Sequence, residues 1–119
     1  MINAKDEPTV SSHFAGKSPA VRQTYDRLLK TARQFGLTVE EPKKTSIHLV
    51  RTTAFAGVAT RKDYLILTLK SDHALASPRV FKSEQASARR FHHEVKLASP
   101  ADIDAELIGW LKEAYALSA

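Results

Sequence analysis

The sequence contains no cysteine, which excludes disulfide bonds, thiolate catalysis and zinc sites built from cysteine. Only four glycines are present and they are scattered, so no glycine-rich loop is available to hold the phosphates of a nucleotide. No apolar run approaches the roughly 18 residues of a membrane span, and residues 1–12 do not resemble a signal peptide. We therefore expect a cytoplasmic protein with no membrane contact, and we predict no cofactor.

Positive charge is concentrated in the middle of the chain, although the net charge of the 119 residues is only +5. Residues 43–97 contain eleven Lys/Arg and four Asp/Glu, a net charge of +7, whereas residues 98–119 have a net charge of −3. An anionic partner would be attracted to the middle segment. The alternative is a solvated basic surface that only increases solubility.

A first amphipathic helix is predicted over residues 19–35. Ser18 suits the N-cap and Pro19 the first turn, where the missing N–H of proline does no harm. Apolar residues then recur at three- and four-residue steps, which indicates one buried stripe. Gly36 is expected to end the helix in a left-handed conformation.

A second helix is predicted over residues 102–117, because Ser99 and Pro100 repeat the starting signal and an apolar stripe follows. Residues 1–16 are polar and without a clear period, so we expect a flexible lead-in there. The remaining residues, 17–119, are predicted to form a single domain.

Between the helices, apolar residues recur at every second position, which is typical of strands with one buried face. The predicted strands are 37–39, 46–51, 54–60, 64–70 and 91–97. Residues 71–90 are rich in serine and lack this period, so they are predicted to form a long loop. The expected fold is α+β: an antiparallel meander of four to five strands, with the N-terminal and C-terminal helices packed on one face.

The second face of this sheet, called the outer face below, is expected to be chemically mixed. Its predicted members are His48, Val50, Tyr64, Ile66, Thr68, Lys70, His92, Glu94 and Lys96. Three alternatives are open for it: exposure to solvent, a cover formed by residues 71–90, or a binding partner.

The histidines do not predict a metal site. His92 and His93 are adjacent in a predicted strand, so their side chains point to opposite faces and cannot share one ion. His93 shares its face with apolar residues, which favours a hydrogen-bonded, partly buried histidine. The alternative for His93 is a pocket group that acts as acid, base or anion donor. No Gly-x-Ser-x-Gly motif or paired acids are present, so no catalytic residue is assigned.

The candidate binding residues combine basic groups at strand ends and in the loop with one ring and one histidine. They are Lys44, Arg51, Arg61, Tyr64, Arg79 and His93. Arginine holds phosphate or carboxylate with two parallel hydrogen bonds, and Tyr64 is the best candidate for stacking on a base. The alternative for Arg79 is a structural role, in which it holds the loop to an acidic neighbour such as Glu94.

Three functions stay open at this point. The first is a non-catalytic binding module for an anionic partner, either a nucleic acid or a phosphate or carboxylate ligand. The second is a protein-interaction or homodimerisation module that uses the outer face around Val50, Tyr64 and Ile66. The third is an enzyme with His93 and Arg79 in a pocket.

Several short stretches also have an informative order and spacing. They are 13–17, 35–37, 41–45, Phe55, Arg79, 91–93 and 104–115. Together they resemble the bacterial and archaeal family called domain of unknown function 5655, over about residues 13–117. The family name implies no activity. Longer relatives are labelled as predicted transport proteins, which fits poorly with the absence of a membrane segment, and some resemble fusions to nuclease-like domains, which supports nucleic acid only by analogy.

Overall fold

The computed structural model describes residues 7–119, and it has two helices and a six-stranded antiparallel sheet. The helices are α1 (Pro19–Phe35) and α2 (Ala105–Ala116), and the strands are β1 (Val39–Pro42), β2 (Ile47–Val50), β3 (Ala54–Thr60), β4 (Leu65–Ser71), β5 (Val80–Ser87) and β6 (Arg90–Leu97). The strand order across the sheet is β1-β2-β3-β4-β6-β5. The predicted α+β class and antiparallel pairing are confirmed, and the sheet has one strand more than the four to five predicted.

The extra strand is β5, which lies inside the segment 71–90 that was predicted to be a long loop. β5 is an edge strand that pairs only with β6, and all its residues after Val80 are exposed. Two register shifts interrupt the pairing. A strand that buries almost no side chain has no alternating apolar pattern, which is why the sequence did not reveal it.

The ends of the first helix follow the sequence signals closely. Ser18 occupies the N-cap with an extended backbone, and Pro19 takes the first helical position. Gly36 follows the last residue with φ of 153° and ψ of −162°, a region that is essentially restricted to glycine and differs from the left-handed helical conformation that we predicted. A Cβ atom at Gly36 would also collide with the Tyr115 hydroxyl, so the position requires glycine for two reasons.

The second helix begins three residues later than predicted. The capping box of Ser99 and Asp102 is present, but it starts a single 3₁₀ turn over Pro100–Asp102. Asp104 is the actual N-cap of α2, because its carboxylate accepts a hydrogen bond from the Leu107 N–H at 3.0 Å. Two consecutive starting signals therefore lie close together, and the sequence pattern identified the first of them.

Part of the predicted lead-in 1–16 is folded. Residues 1–6 lie outside the described part of the chain, whereas Ser11–Phe14 forms a 3₁₀ helix. The Phe14 ring packs at 5.1 Å from the Tyr25 ring of α1, and the Thr60 hydroxyl donates a hydrogen bond to the His13 carbonyl. This segment therefore closes one end of the core.

The first strand also differs from the prediction, because β1 includes Glu41 and Pro42 instead of ending before them. β1 is an edge strand, and a proline is tolerated there because one row of its backbone groups needs no partner in the sheet.

The core lies between the helices and one face of the sheet. Leu65, Leu67 and Leu69 of β4 are buried, and their neighbours across the sheet on β3 and β6 are largely buried as well. Both helices contact β4 and each other, so a single apolar cluster joins the three elements. Within residues 7–119, neither helix combines the length and the apolar content needed to cross a membrane.

Candidate functional site

The six predicted binding residues do not form one site. In an antiparallel meander, alternate turns lie at the same end of the strands, so the turns that carry Lys44 and Arg61 lie at one end of the sheet. Both of these residues are exposed. Arg51 lies at the opposite end, in the connection between β2 and β3. Its guanidinium packs 4.4 Å from the Tyr115 ring centroid and donates to the Tyr115 carbonyl at 3.1 Å, so Arg51 fastens α2 to the sheet.

Arg79 is engaged in contacts within the chain. It donates to the Asp102 carbonyl at 2.6 Å and to the Asp104 carboxylate at 2.8 Å, and it lies 3.4 Å from the Glu106 carboxylate. The pKa of Asp104 is lowered by the Leu107 backbone hydrogen bond and then by Arg79. Arg79 thus holds the start of β5 to the first turn of α2. The acidic neighbour suggested from the sequence, Glu94, instead pairs with Lys82 at 3.6 Å.

His93 is fully buried and both of its ring nitrogens are in hydrogen bonds. Nδ1 lies 2.7 Å from the Ser83 hydroxyl, and Nε2 lies 2.9 Å from the Ser71 hydroxyl. The Ser71 hydroxyl donates to the His73 carbonyl, so its oxygen accepts the Nε2 proton of His93. The Ser83 hydroxyl bonds to Nδ1 on the other side of the ring. Such a ring is held as part of the core, in agreement with the first interpretation from the sequence.

The outer face is open within the described residues. Its members are all half-buried or exposed, while the residues that alternate with them in β2, β4 and β6 are buried apart from the half-buried Phe91. β5 extends the sheet beside β6 and does not fold over it. Of the alternatives stated for this face, a cover formed by residues 71–90 is therefore wrong.

A shallow depression of about 280 Å³ lies on the outer face above Gly57. Gly57 is paired with His48 on β2 and with Thr68 on β4, and Lys70 and His92 are paired on the next two strands. Because Gly57 has no side chain, the neighbouring side chains form a rim around an open floor. The polar groups that line the depression are all possible hydrogen-bond donors: Ser46, His48, Thr68, Lys70 and His92.

Lys70 gives this depression its charge. The pKa of Lys70 is lowered by burial and, to a smaller extent, by the nearby Arg90. Its ammonium donates to the Thr53 hydroxyl at 3.1 Å, and no carboxylate among residues 7–119 lies within 4.0 Å of it. Lys70 thus lies among hydrogen-bond donors, and Arg90 is near enough to affect its pKa. That arrangement attracts an anion.

A second depression, of about 400 Å³, lies at the other end of the same face. It is lined by Tyr64, Ile66, Pro78, Arg79, Phe81 and Lys96. The Lys96 ammonium lies 4.3 Å from the Tyr64 ring centroid, a cation–π contact. The Phe81 side chain is 56% exposed, which makes it one of three large exposed apolar residues in the described chain. This depression is therefore apolar and aromatic, with a single lysine at its border.

A metal site is not seen in the part of the chain that the structure describes, since no group of three or more His, Asp or Glu side chains is close enough to hold an ion. Asp72 and His73 form an exposed pair at 2.7 Å. Their shared hydrogen bond lowers the pKa of Asp72 and raises that of His73. This pair lies in the connection after β4.

The sequence prediction of the site selected charged residues at turns and missed the middle of the outer face. His48, Thr68 and His92 were recognised as members of that face but not as a cluster. The missing information was the strand register, because only the pairing of β2, β3, β4 and β6 brings them together around Gly57. The sequence feature that could have indicated this cluster was the strict alternation in β4, which assigns Thr68 and Lys70 to the same face.

The fold and the site define a small α+β domain whose antiparallel sheet carries two helices on one face and an open, donor-rich surface on the other. The sequence profile of the family described as Domain of unknown function (DUF5655) matches residues 10–118. The chain therefore belongs to this family, as its short stretches had indicated. A search of curated proteins and a search of solved structures each gave no match.

Proposed function

We propose that this domain is a non-catalytic binding module for an anionic partner, and that the outer face provides the binding surface. The observation that carries the proposal is Lys70, a half-buried residue whose ammonium lies near Arg90 and has no carboxylate within 4.0 Å among the described residues. A protein normally places a carboxylate beside a desolvated cation. An incoming phosphate or carboxylate supplies that missing charge.

The neighbouring groups support the same ligand chemistry. His48 and His92 lie on either side of the depression, and the Ser46 and Thr68 hydroxyls provide neutral donors. Two acidic residues on these strands are held in ion pairs, Glu41 with Lys43 at 3.4 Å and Glu94 with Lys82 at 3.6 Å. Glu84 lies opposite His92 on β5 and is the acidic residue that an anion at His92 would have to tolerate.

The enzyme alternative has less support from the geometry. His93 is buried in its bonds to two serines, and Arg79 is bound to the start of α2. The register places His93 opposite Ser83, four residues beyond Arg79 along β5. The two residues therefore do not form a common pocket.

The proposal is tested by titrating the protein with tripolyphosphate at low salt and following backbone amide shifts by NMR. We expect shifts that are concentrated at residues 46–48, 57, 68–70 and 92. Lys70→Ala should weaken the affinity about tenfold or more, the effect of losing a charge-assisted contact. Lys112→Ala removes the same charge from an exposed position on α2 and serves as the matched control. Equal effects of the two variants would contradict the proposal.

The pH dependence gives a second test of the same site. Anion binding requires the ammonium form of Lys70, and burial together with Arg90 lowers the pKa of that group. The tripolyphosphate affinity should therefore fall as pH rises through this lowered pKa, before the pH at which an ordinary lysine deprotonates. Lys70→Arg keeps its charge and should move the loss of affinity to higher pH. A pH profile identical in the two proteins would argue against Lys70 as the contact.

A further inference from the structure

The two depressions of the outer face lie on the same strands and differ in chemistry. The depression around Gly57 and Lys70 is called the cationic depression below, and the one around Tyr64 and Phe81 the aromatic depression. Ile66 and Lys96 form a cross-strand pair in the aromatic depression, and Lys70 and His92 form one in the cationic depression. Four residues of an antiparallel strand separate Ile66 from Lys70, a distance of about 13 Å. A ligand that uses both depressions must therefore combine an anionic group with a flat apolar group and be long enough to connect them.

Phe81 is the residue that calls for a flat apolar group in the ligand. The register shift between Val80 and Lys82 lies at Phe81, and its ring lines the depression beside Ile66. A single exposed phenylalanine is ordinary on a protein surface. Here, however, the exposed ring lies next to Tyr64, Ile66 and Pro78, so the four form a continuous apolar surface.

The two rings of this depression differ in their availability. The Lys96 ammonium already covers one side of the Tyr64 ring. Phe81 makes no aromatic or cation–π contact with another described residue, and its side chain is 56% exposed. Phe81 is therefore the ring onto which a planar group can stack, with Lys96 beside it to meet a negative charge.

We propose that the ligand of the outer face is a single-stranded nucleic acid, with a phosphate at Lys70 and an unpaired base on Phe81. This inference rests on the proposed anion-binding function and names its ligand class. A single strand offers phosphates and accessible base faces in alternation, and aromatic side chains on a basic surface are the usual means of binding it. In a duplex the base faces are stacked inside, so a duplex would leave Phe81 unused.

The experiment compares two fluorescently labelled ligands of equal length, oligothymidylate and an abasic oligonucleotide with the same backbone. Fluorescence anisotropy is measured at near-physiological salt, because weak backbone contacts of any basic protein are lost there. We expect the full chain to bind oligothymidylate about tenfold or more tightly than the abasic strand, and more tightly than a duplex of the same length.

Variants of Phe81 then test the proposed base contact. Phe81→Ala should weaken oligothymidylate binding about tenfold, in the range for one stacked base, and leave tripolyphosphate binding unchanged. Phe81→Trp should retain the affinity, whereas Phe81→Leu should lose it as the alanine variant does. Leu37→Ala, which removes an apolar side chain that is 75% exposed and lies near the opposite edge of the sheet, is the matched control. Phe81 is exposed, so these variants should fold.

Each contrary result has a distinct meaning. If the abasic strand binds as well as oligothymidylate, or if Phe81→Ala has no effect, the single-strand inference is overturned while tripolyphosphate binding at Lys70 still supports an anion site. If tripolyphosphate does not bind, the proposed function itself fails. A concentration-dependent mass that Phe81→Ala abolishes would show that this surface binds a second copy of the chain, and that result also overturns the inference.

Discussion

His92 and His93 are neighbours in β6, yet they belong to different chemical environments. His93 is buried and its two ring nitrogens are bound to two serine hydroxyls, whereas His92 is exposed at the border of the cationic depression. The difference arises from the period of two in a strand, which sends successive side chains to opposite faces. Residue type alone therefore says little about the role of a side chain in a sheet, because the face on which it lies determines its burial and its partners.

The same contrast holds for the two faces as a whole. On the buried face, the polar groups of the β strands have partners: Ser71, His93 and Thr60 are all hydrogen-bonded within the chain. On the outer face, Lys70 has a hydroxyl partner but no carboxylate among the described residues. Satisfied polar groups stabilise a fold, while a cation that lacks a counter-charge is available to a ligand.

The largest expected difference between the faces is in apolar packing. Leu67→Ala should lower the free energy of unfolding by about 3 to 5 kcal/mol, because Leu67 is fully buried and its removal leaves a cavity. Ile66→Ala, at the neighbouring position on the outer face, should cost no more than about 1 kcal/mol. Urea unfolding followed by circular dichroism measures both. Similar losses in the two variants would contradict the assignment of the faces.

The adjacent histidines provide the second comparison. His93→Ala should cost about 2 to 4 kcal/mol, since it creates a cavity and leaves Ser71 and Ser83 without their partner. His92→Ala should change the stability by less than about 0.5 kcal/mol. Thermal unfolding of both variants gives the difference. A stable His93→Ala protein would mean that the serine bonds contribute little.

Tyr25 extends the comparison to alkaline pH. It is fully buried, its hydroxyl donates to the Glu40 carboxylate at 2.6 Å, and burial together with this bond raises its pKa well above 10. The unfolded chain loses the tyrosine proton near pH 10 while the folded chain keeps it, so stability is lost as pH rises above about 10, by about 1.4 kcal/mol per pH unit.

Tyr25→Phe should cost about 1 to 2 kcal/mol at neutral pH, because the Glu40 hydrogen bond is lost. The same variant should remove most of the alkaline decline, so the two proteins should become more similar in stability above pH 10. Urea titrations at pH 7, 10 and 11 compare them. An unchanged alkaline slope in the variant would show that another group controls it.

The smallest expected effect concerns Arg79, for which the sequence left open a binding role and a structural role. Arg79→Ala should lower stability by about 1 kcal/mol, because its hydrogen bond to the Asp102 carbonyl and its ion pairs with partly exposed acids are lost. Arg61→Ala, in an exposed turn, serves as the control and should be neutral. If tripolyphosphate affinity fell with Arg79→Ala at constant stability, Arg79 would be a ligand contact after all.

Sequence patterns predicted the features that depend on burial. The helix over 19–35, the strands up to residue 70 and the opposite orientations of His92 and His93 all follow from apolar periodicity, apart from small shifts at the ends. β5 escaped prediction because it is held by backbone bonds to β6 and buries little. The outer-face cluster escaped because Gly57, His48 and Thr68 are brought together by register, which a single sequence does not encode locally.

The order of the elements along the chain has a consequence for synthesis on the ribosome. α2 follows all six strands in sequence, yet it covers β3 and β4, which are made about 40 residues earlier. At about 5 to 20 residues per second, the leucine face of β4 waits for several seconds with only α1 available to shield it. The nascent protein therefore presents to the chaperones, for that interval, the surface that the finished protein hides most completely.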